Sequence, residues 1–95
     1  MNFIDPREAK ALVEQGAQLV DVRDPHEFQQ GALPGAINLP LAMVPLKAAE
    51  VLDRDRPVVL YCLSGARSAQ AQMLLRRQGF EQVYNLGPAQ NYYAA

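Results

Sequence analysis

A chain of 95 residues, 49% hydrophobic and 20% charged, has room for one hydrophobic core, so a single domain over 1–95 is expected. Its nine basic and ten acidic residues are interspersed and leave a net charge of −1, which offers no electrostatic footprint for nucleic acid or an anionic membrane. One cysteine excludes an internal disulfide, and one cysteine with one histidine, His26, cannot build a structural zinc site. No apolar run reaches the roughly 18 residues of a membrane span. The start "MNFIDPREAK" lacks the basic and apolar regions of a secretory signal. A reducing, cytoplasmic location is therefore expected, or a periplasmic one if a leader once preceded this chain.

In chain order, Phe3-Ile4 reads as a short edge strand. Asp5-Pro6-Arg7-Glu8 then offers an N-cap Asp, Pro at the first helical position and an acid three residues after the cap. Ala9, Leu12 and Val13 recur on one face of that helix, and Gly16 ends it. A strand follows over 19–22. Asp24-Pro25-His26-Glu27 repeats the start signal for a helix of about two turns, stopped at Gly31. "GALPGA" is a turn leading to a strand over 36–39. In "LAMVPLKAAEVLD", Pro45 separates a helix over 46–52 from what precedes it. Val58-Val59-Leu60-Tyr61 is continuously apolar, as in a central strand covered on both faces. A helix with Ala71, Leu74 and Leu75 on its apolar stripe comes next. Arg76 and Arg77 suit the dipole of its last turn, and Gly79 closes it. A last strand is expected over 82–85. The alternation of strand and helix predicts an α/β fold with a mostly parallel sheet, whose ligands gather at the carboxyl ends of its strands.

The only thiol, Cys62, stands at such an end, in "CLSGARS". A short strand-to-helix loop leaves backbone N–H groups without intrachain acceptors. With Gly65 allowing an unusual backbone angle, those groups can turn inward as an anion-binding nest, and the helix dipole adds positive potential. A thiol held there would favour its thiolate form. Arg67 would add a fixed positive charge at the rim, Ser68 would cap the helix, and Ser64 would offer its hydroxyl to the interior. The plain alternative is that Cys62 is a small buried hydrophobe. His26, in the first turn of a short helix, is expected to be solvated. Arg54, Arg56, Arg76 and Arg77 read as dispersed surface charges, and Leu41, Met43 and Met73 as core packing rather than an apolar docking rim.

Beyond the loop, Asp21-Val22-Arg23, Glu27-Phe28, Gly31, Pro34-Gly35-Ala36, Asn38, Pro40, Gly79-Phe80 and Val83 to Asn85 fall in the order of one family. The chain resembles the rhodanese domain in its small single-domain form, nearest in kind to the small phage-shock-type sulfurtransferases. That resemblance implies a three-layer fold with a mostly parallel five-stranded sheet flanked by helices. It implies that Cys62 takes sulfur from thiosulfate or a persulfide, holds it as a persulfide, and passes it to a thiol or to cyanide by a ping-pong route. A sulfur-accepting protein is a further possible partner. Leu63, Ser64, Gly65, Ala66, Arg67 and Ser68 would hold the anionic sulfur, and Asp21, Arg23 and Glu27 would brace the site, with Arg23 and Glu27 as a candidate pair. No cofactor and no metal are implied. Rhodanese-like phosphatases carry five residues between Cys and Arg; this chain has four, a ring that suits one sulfur atom better than phosphate. Ala32 stands where the family often has His, and Leu86-Gly87-Pro88-Ala89 where it usually has paired glycines and an aromatic. A non-enzymatic persulfide carrier or redox-sensing module is the alternative class, although a sensor usually needs a resolving cysteine, which this chain lacks.

Overall fold

The computed structural model describes residues 2–95. Its elements are α1 (Pro6–Glu14), β1 (Gln18–Asp21), α2 (Pro25–Gln29), β2 (Ile37–Asn38), α3 (Val44–Val51), β3 (Val58–Cys62), α4 (Ala66–Arg77) and β4 (Val83–Pro88), with short 3-10 turns at Leu41–Met43 and Ala89–Ala94. All strand pairings are parallel, in the order β2-β1-β3-β4. The sheet thus has four strands, not five. Phe3-Ile4 misses strand status because Ile4 N–H donates to the Asn85 carbonyl at 2.9 Å without the further bonds of a ladder.

Local signals account for the helices. Asp5 accepts the Arg7 N–H at 2.8 Å to start α1, and the Asp24 N–H donates to Glu27 Oε1 at 3.0 Å to start α2. Pro45 lies in the first turn of α3, where its missing N–H costs nothing, so that helix begins two residues earlier than the sequence implies. Beyond Asn85, β4 runs on to Pro88, and the following 3-10 turn buries Tyr92.

All five residues of β3 are fully buried, and they alternate between two cores. Val58, Leu60 and Cys62 point toward α3 and α4, with Val20, Val22, Leu75 and Phe80. Val59 and Tyr61 point the other way, toward Ala9, Leu19, Leu86 and Tyr92. Leu41 and Met43 pack against the first core, whereas Met73 is mostly exposed. This alternation decides which helix Cys62 meets. It is the last residue of the central strand, on the face covered by α4.

Candidate active site

Cys62 has no exposed surface, and Gly65 just after it holds a left-handed φ of +97°. That angle turns the chain back so that the Gly65 N–H donates to Cys62 Sγ at 3.0 Å. Phe3 explains why the position also has no room for a side chain. Its ring lies so close that a Cβ on Gly65 would meet Phe3 Cζ at 2.6 Å, and one on Gly87 would meet Phe3 Cδ2 at 2.9 Å. The residue expected in an edge strand therefore covers two glycines, one from the cysteine loop and one from β4.

Gly65, not Ser68, is the N-cap of α4. Ser68 sits one turn in, fully buried, with Oγ 3.4 Å from Cys62 Sγ, 3.1 Å from the Gly65 carbonyl and 2.6 Å from Asn85 Oδ1. Ser64 is exposed, and its hydroxyl accepts the Ala66 N–H at 3.3 Å instead of facing the interior. Leu63 is 69% exposed. Burial alone pushes the Cys62 thiol up; the Ser68 hydroxyl, followed by the N–H groups of Ser68, Gly65 and Ser64, outweighs it and holds the thiol below its usual value.

The expected bracing residues divide into two pairs. Arg67 meets Glu27 in a two-pronged contact, Nη1 to Oε1 at 2.8 Å and Nη2 to Oε2 at 3.1 Å. The guanidinium, with help from the Asp24 N–H, holds the Glu27 carboxyl down at about 2. Arg67 is in turn held charged, chiefly by its bonds to Glu27 and to a smaller extent by a negative charge on Cys62. Arg23 does not pair with Glu27. It is bound by the fully buried Asp21, with Nη2 2.7 Å from Oδ2, and reaches the Gly31 carbonyl at 2.7 Å. The alternation along β1 puts Asp21 on the face opposite Cys62, and Arg23 lies over the Tyr61 ring there. That pair fixes the exit of β1 and the turn at Gly31, and only Glu27 reaches the cysteine loop.

Asn85 belongs to the site although its sequence context does not announce it. Alternation along β4 puts Asn85 on the same face as Val83, the face of Cys62 and α4; the β3–β4 register then skips one residue, from Leu60↔Asn85 to Tyr61↔Gly87, and the Gly87 N–H beyond this bulge donates to Asn85 Oδ1. Alternation in the expected strand puts Val83 and Asn85 on one face, but an Asn near a strand end does not say which groups it meets there. The other residues considered lie elsewhere: His26 is exposed, Arg56 binds the Gly16 carbonyl, and Arg54 packs over the Phe80 ring.

Residues 5–87 match the family described as Rhodanese-like domain. The chain belongs to the rhodanese family. It is 48% identical over 68 residues to a protein of Allochromatium vinosum named Sulfurtransferase, covering 72% of this chain and 63% of that one. It therefore spans under two thirds of that relative's length. It is 41% identical over 83 residues to the Thiosulfate sulfurtransferase GlpE of Pseudomonas syringae pv. syringae, covering 87% of this chain and 77% of the relative. The solved human single-domain sulfurtransferase TSTD1 superposes with a TM-score of 0.78 at 25% identity, covering 99% of this chain and 96% of that one. No helix among the described residues is long and apolar enough to cross a membrane.

Proposed function

We propose that the protein is a sulfurtransferase that carries sulfane sulfur on Cys62 and takes it from thiosulfate. The observation that carries this reading is the Gly65 N–H at 3.0 Å from Cys62 Sγ, at the N-terminus of α4, with the Ser64 and Ser68 N–H groups also favouring the thiolate. A thiol held toward its thiolate form relies less on a general base, which fits the absence of any histidine or free carboxylate in contact with the sulfur among the described residues.

In the first half-reaction, Cys62 Sγ attacks the outer sulfur of thiosulfate. The Sγ–S bond forms as the S–SO₃ bond breaks, sulfite leaves with the electron pair, and the outer sulfur keeps a negative charge as Cys62–S–S⁻. In the second, an acceptor thiolate or cyanide attacks that outer sulfur, and the electron pair returns to Sγ as thiolate. Leu63, Ser64, Gly65, Ala66, Arg67 and Ser68 frame the space where the anionic outer sulfur would sit, in the manner of an oxyanion hole. Sγ is closed to solvent, so attack requires the groups around it to move. That favours a small anionic donor over a bulky disulfide. A free thiol without a disulfide partner in its chain suits the reducing cytoplasm.

Steady-state turnover with thiosulfate and cyanide tests the proposal. Parallel double-reciprocal lines and loss of all turnover in Cys62→Ser are expected. Intersecting lines, or turnover that survives the substitution, would refute it. A persulfide that forms but turns over no faster than a free thiol would make the protein a carrier instead.

A further inference from the structure

Asn85 is 2% exposed, and two backbone groups of unambiguous polarity fix the direction of its amide. Oδ1 accepts the Gly87 N–H at 2.8 Å, and Nδ2 donates to the Gly65 carbonyl at 3.2 Å. Flipping the amide would set N–H against N–H and oxygen against oxygen. It is therefore Oδ1 that faces Ser68 Oγ at 2.6 Å, and an amide oxygen only accepts, so Ser68 supplies the hydrogen. That hydroxyl has one hydrogen and three neighbours able to take it: Asn85 Oδ1, the Gly65 carbonyl and Cys62 Sγ. The Gly65 carbonyl already accepts the Ala69 N–H at 3.0 Å. While the sulfur is neutral, the short bond to Asn85 wins, and Ser68 shows a lone pair to the thiol. Once the sulfur is charged, a bond to it is roughly twice as strong as a neutral one, and the hydrogen turns toward Sγ.

We propose that Asn85 is a positioning residue that holds the Ser68 hydrogen whenever Cys62 Sγ is uncharged and yields it when the thiolate forms. The proposal rests on the reading of Cys62 as the sulfur-carrying nucleophile and deepens it. In Cys62–S–S⁻ the charge lies on the outer sulfur, so Sγ is neutral and the Ser68–Asn85 bond stands. Discharge returns the charge to Sγ and breaks that bond. Asn85 thereby favours the loaded protein over the empty thiolate, while Ser68 favours the reverse.

The charged groups around the sulfur are few. Arg67 of α4 feels the Cys62 charge, with Glu27 of α2 and Asp24 at its cap behind it. β1 brings the closed Asp21–Arg23 pair on the opposite face, α3 an exposed Lys47–Glu50 pair, and β4 the neutral Asn85.

The test is the pH dependence of Cys62 thiolate absorbance and of its alkylation by iodoacetamide, on the full chain, in Asn85→Leu, Ser68→Ala and the double variant. Asn85→Leu frees the Ser68 hydrogen for the sulfur, so the thiol ionises at lower pH and alkylation below the midpoint rises about three- to tenfold. Ser68→Ala moves the midpoint up, and adding Asn85→Leu to it changes nothing further. An upward shift in Asn85→Leu, no shift at all, or a shift of equal size without Ser68 would overturn the proposal. Because Asn85→Leu strands the Gly87 N–H and can fail to fold, the unsubstituted protein supplies a second reading. The NMR shift of the Asn85 side-chain carbonyl carbon is expected to move with the Cys62 midpoint, and a carbonyl that stays flat while the thiol ionises overturns the proposal. These titrations need no sulfur donor. A protein that ionises as described yet never takes sulfur would contradict the sulfurtransferase reading and leave the role of Asn85 standing.

Discussion

Gly65→Ala is the substitution whose cost can be built up from the structure. A φ of +97° places an L-residue in left-handed space, at about 1–2 kcal/mol. The new Cβ would also lie 2.6 and 2.7 Å from Phe3 Cζ and Cε1, and 3.2 Å from Gly87 Cα. Carbon contacts are comfortable near ~3.5–4.0 Å, so the ring must retreat by about an ångström. Phe3 is 40% exposed and can swing away, forfeiting about 1–2 kcal/mol of packing. Gly87 is backbone inside β4, opposite Tyr61, and cannot follow. The expected loss is about 2–4 kcal/mol in urea unfolding. A displaced Gly65 also lengthens its N–H bond to Sγ, so Cys62 alkylation should require higher pH. Phe3→Ala separates the two causes. With no ring to displace, the double variant should lose about 1 kcal/mol less than the sum of the singles, while the backbone strain remains. A Gly65→Ala protein within about 0.5 kcal/mol of the parent, or strict additivity with Phe3→Ala, would refute this account of the loop.

Glu27→Gln should change how stability depends on acid. The folded carboxyl sits at about 2 against an ordinary 4.5, so its contribution is complete above the unfolded value and is lost as pH falls from there toward about 2. The shift sets a ceiling of about 3 kcal/mol, and solvent around the third-exposed Arg67 reduces it to about 1–2 kcal/mol. Parent and Glu27→Gln unfolding curves measured across that window should converge toward low pH; curves that stay parallel would contradict the pairing. Asp21→Asn leaves Arg23, whose side chain is 12% exposed, against a neutral amide and should cost about 3 kcal/mol in urea unfolding. Because the pair lies on the far face of the sheet, the pH profile of Cys62 alkylation should not move, and a shift at unchanged stability would contradict that placement.

What was legible in the sequence was local. Asp5-Pro6 and Asp24-Pro25 announce helix starts because a capping carboxylate and the N–H it accepts lie within one turn. The apolar run of β3 marks a doubly covered strand because burial on both faces leaves no polar position to alternate. The cysteine loop was legible because strand end, glycine and helix start are contiguous. Residues joined only by the fold were not. Glu27 meets Arg67 across 40 positions, while the nearer candidate, Arg23, is claimed by Asp21 two residues away. Ser68 looked like a cap because it opens a helical stretch, yet Gly65 starts the helix and leaves Ser68 inside it, against the sulfur. Phe3 had the apolar character of a strand, but β4 bulges opposite Tyr61 and offers Ile4 one bond in place of a ladder. The Gly87 N–H that holds Asn85 Oδ1 lies just past the same bulge, and a bulge is a property of two strands that neither displays alone.

The most direct measurement is the intact mass of the protein after excess thiosulfate and desalting, beside Cys62→Ala. The unsubstituted chain should gain one sulfur, about 32 Da, which cyanide removes, and the variant should gain nothing. An unchanged mass, with Cys62 still open to alkylation, would contradict thiosulfate as the donor and Cys62 as the residue it loads.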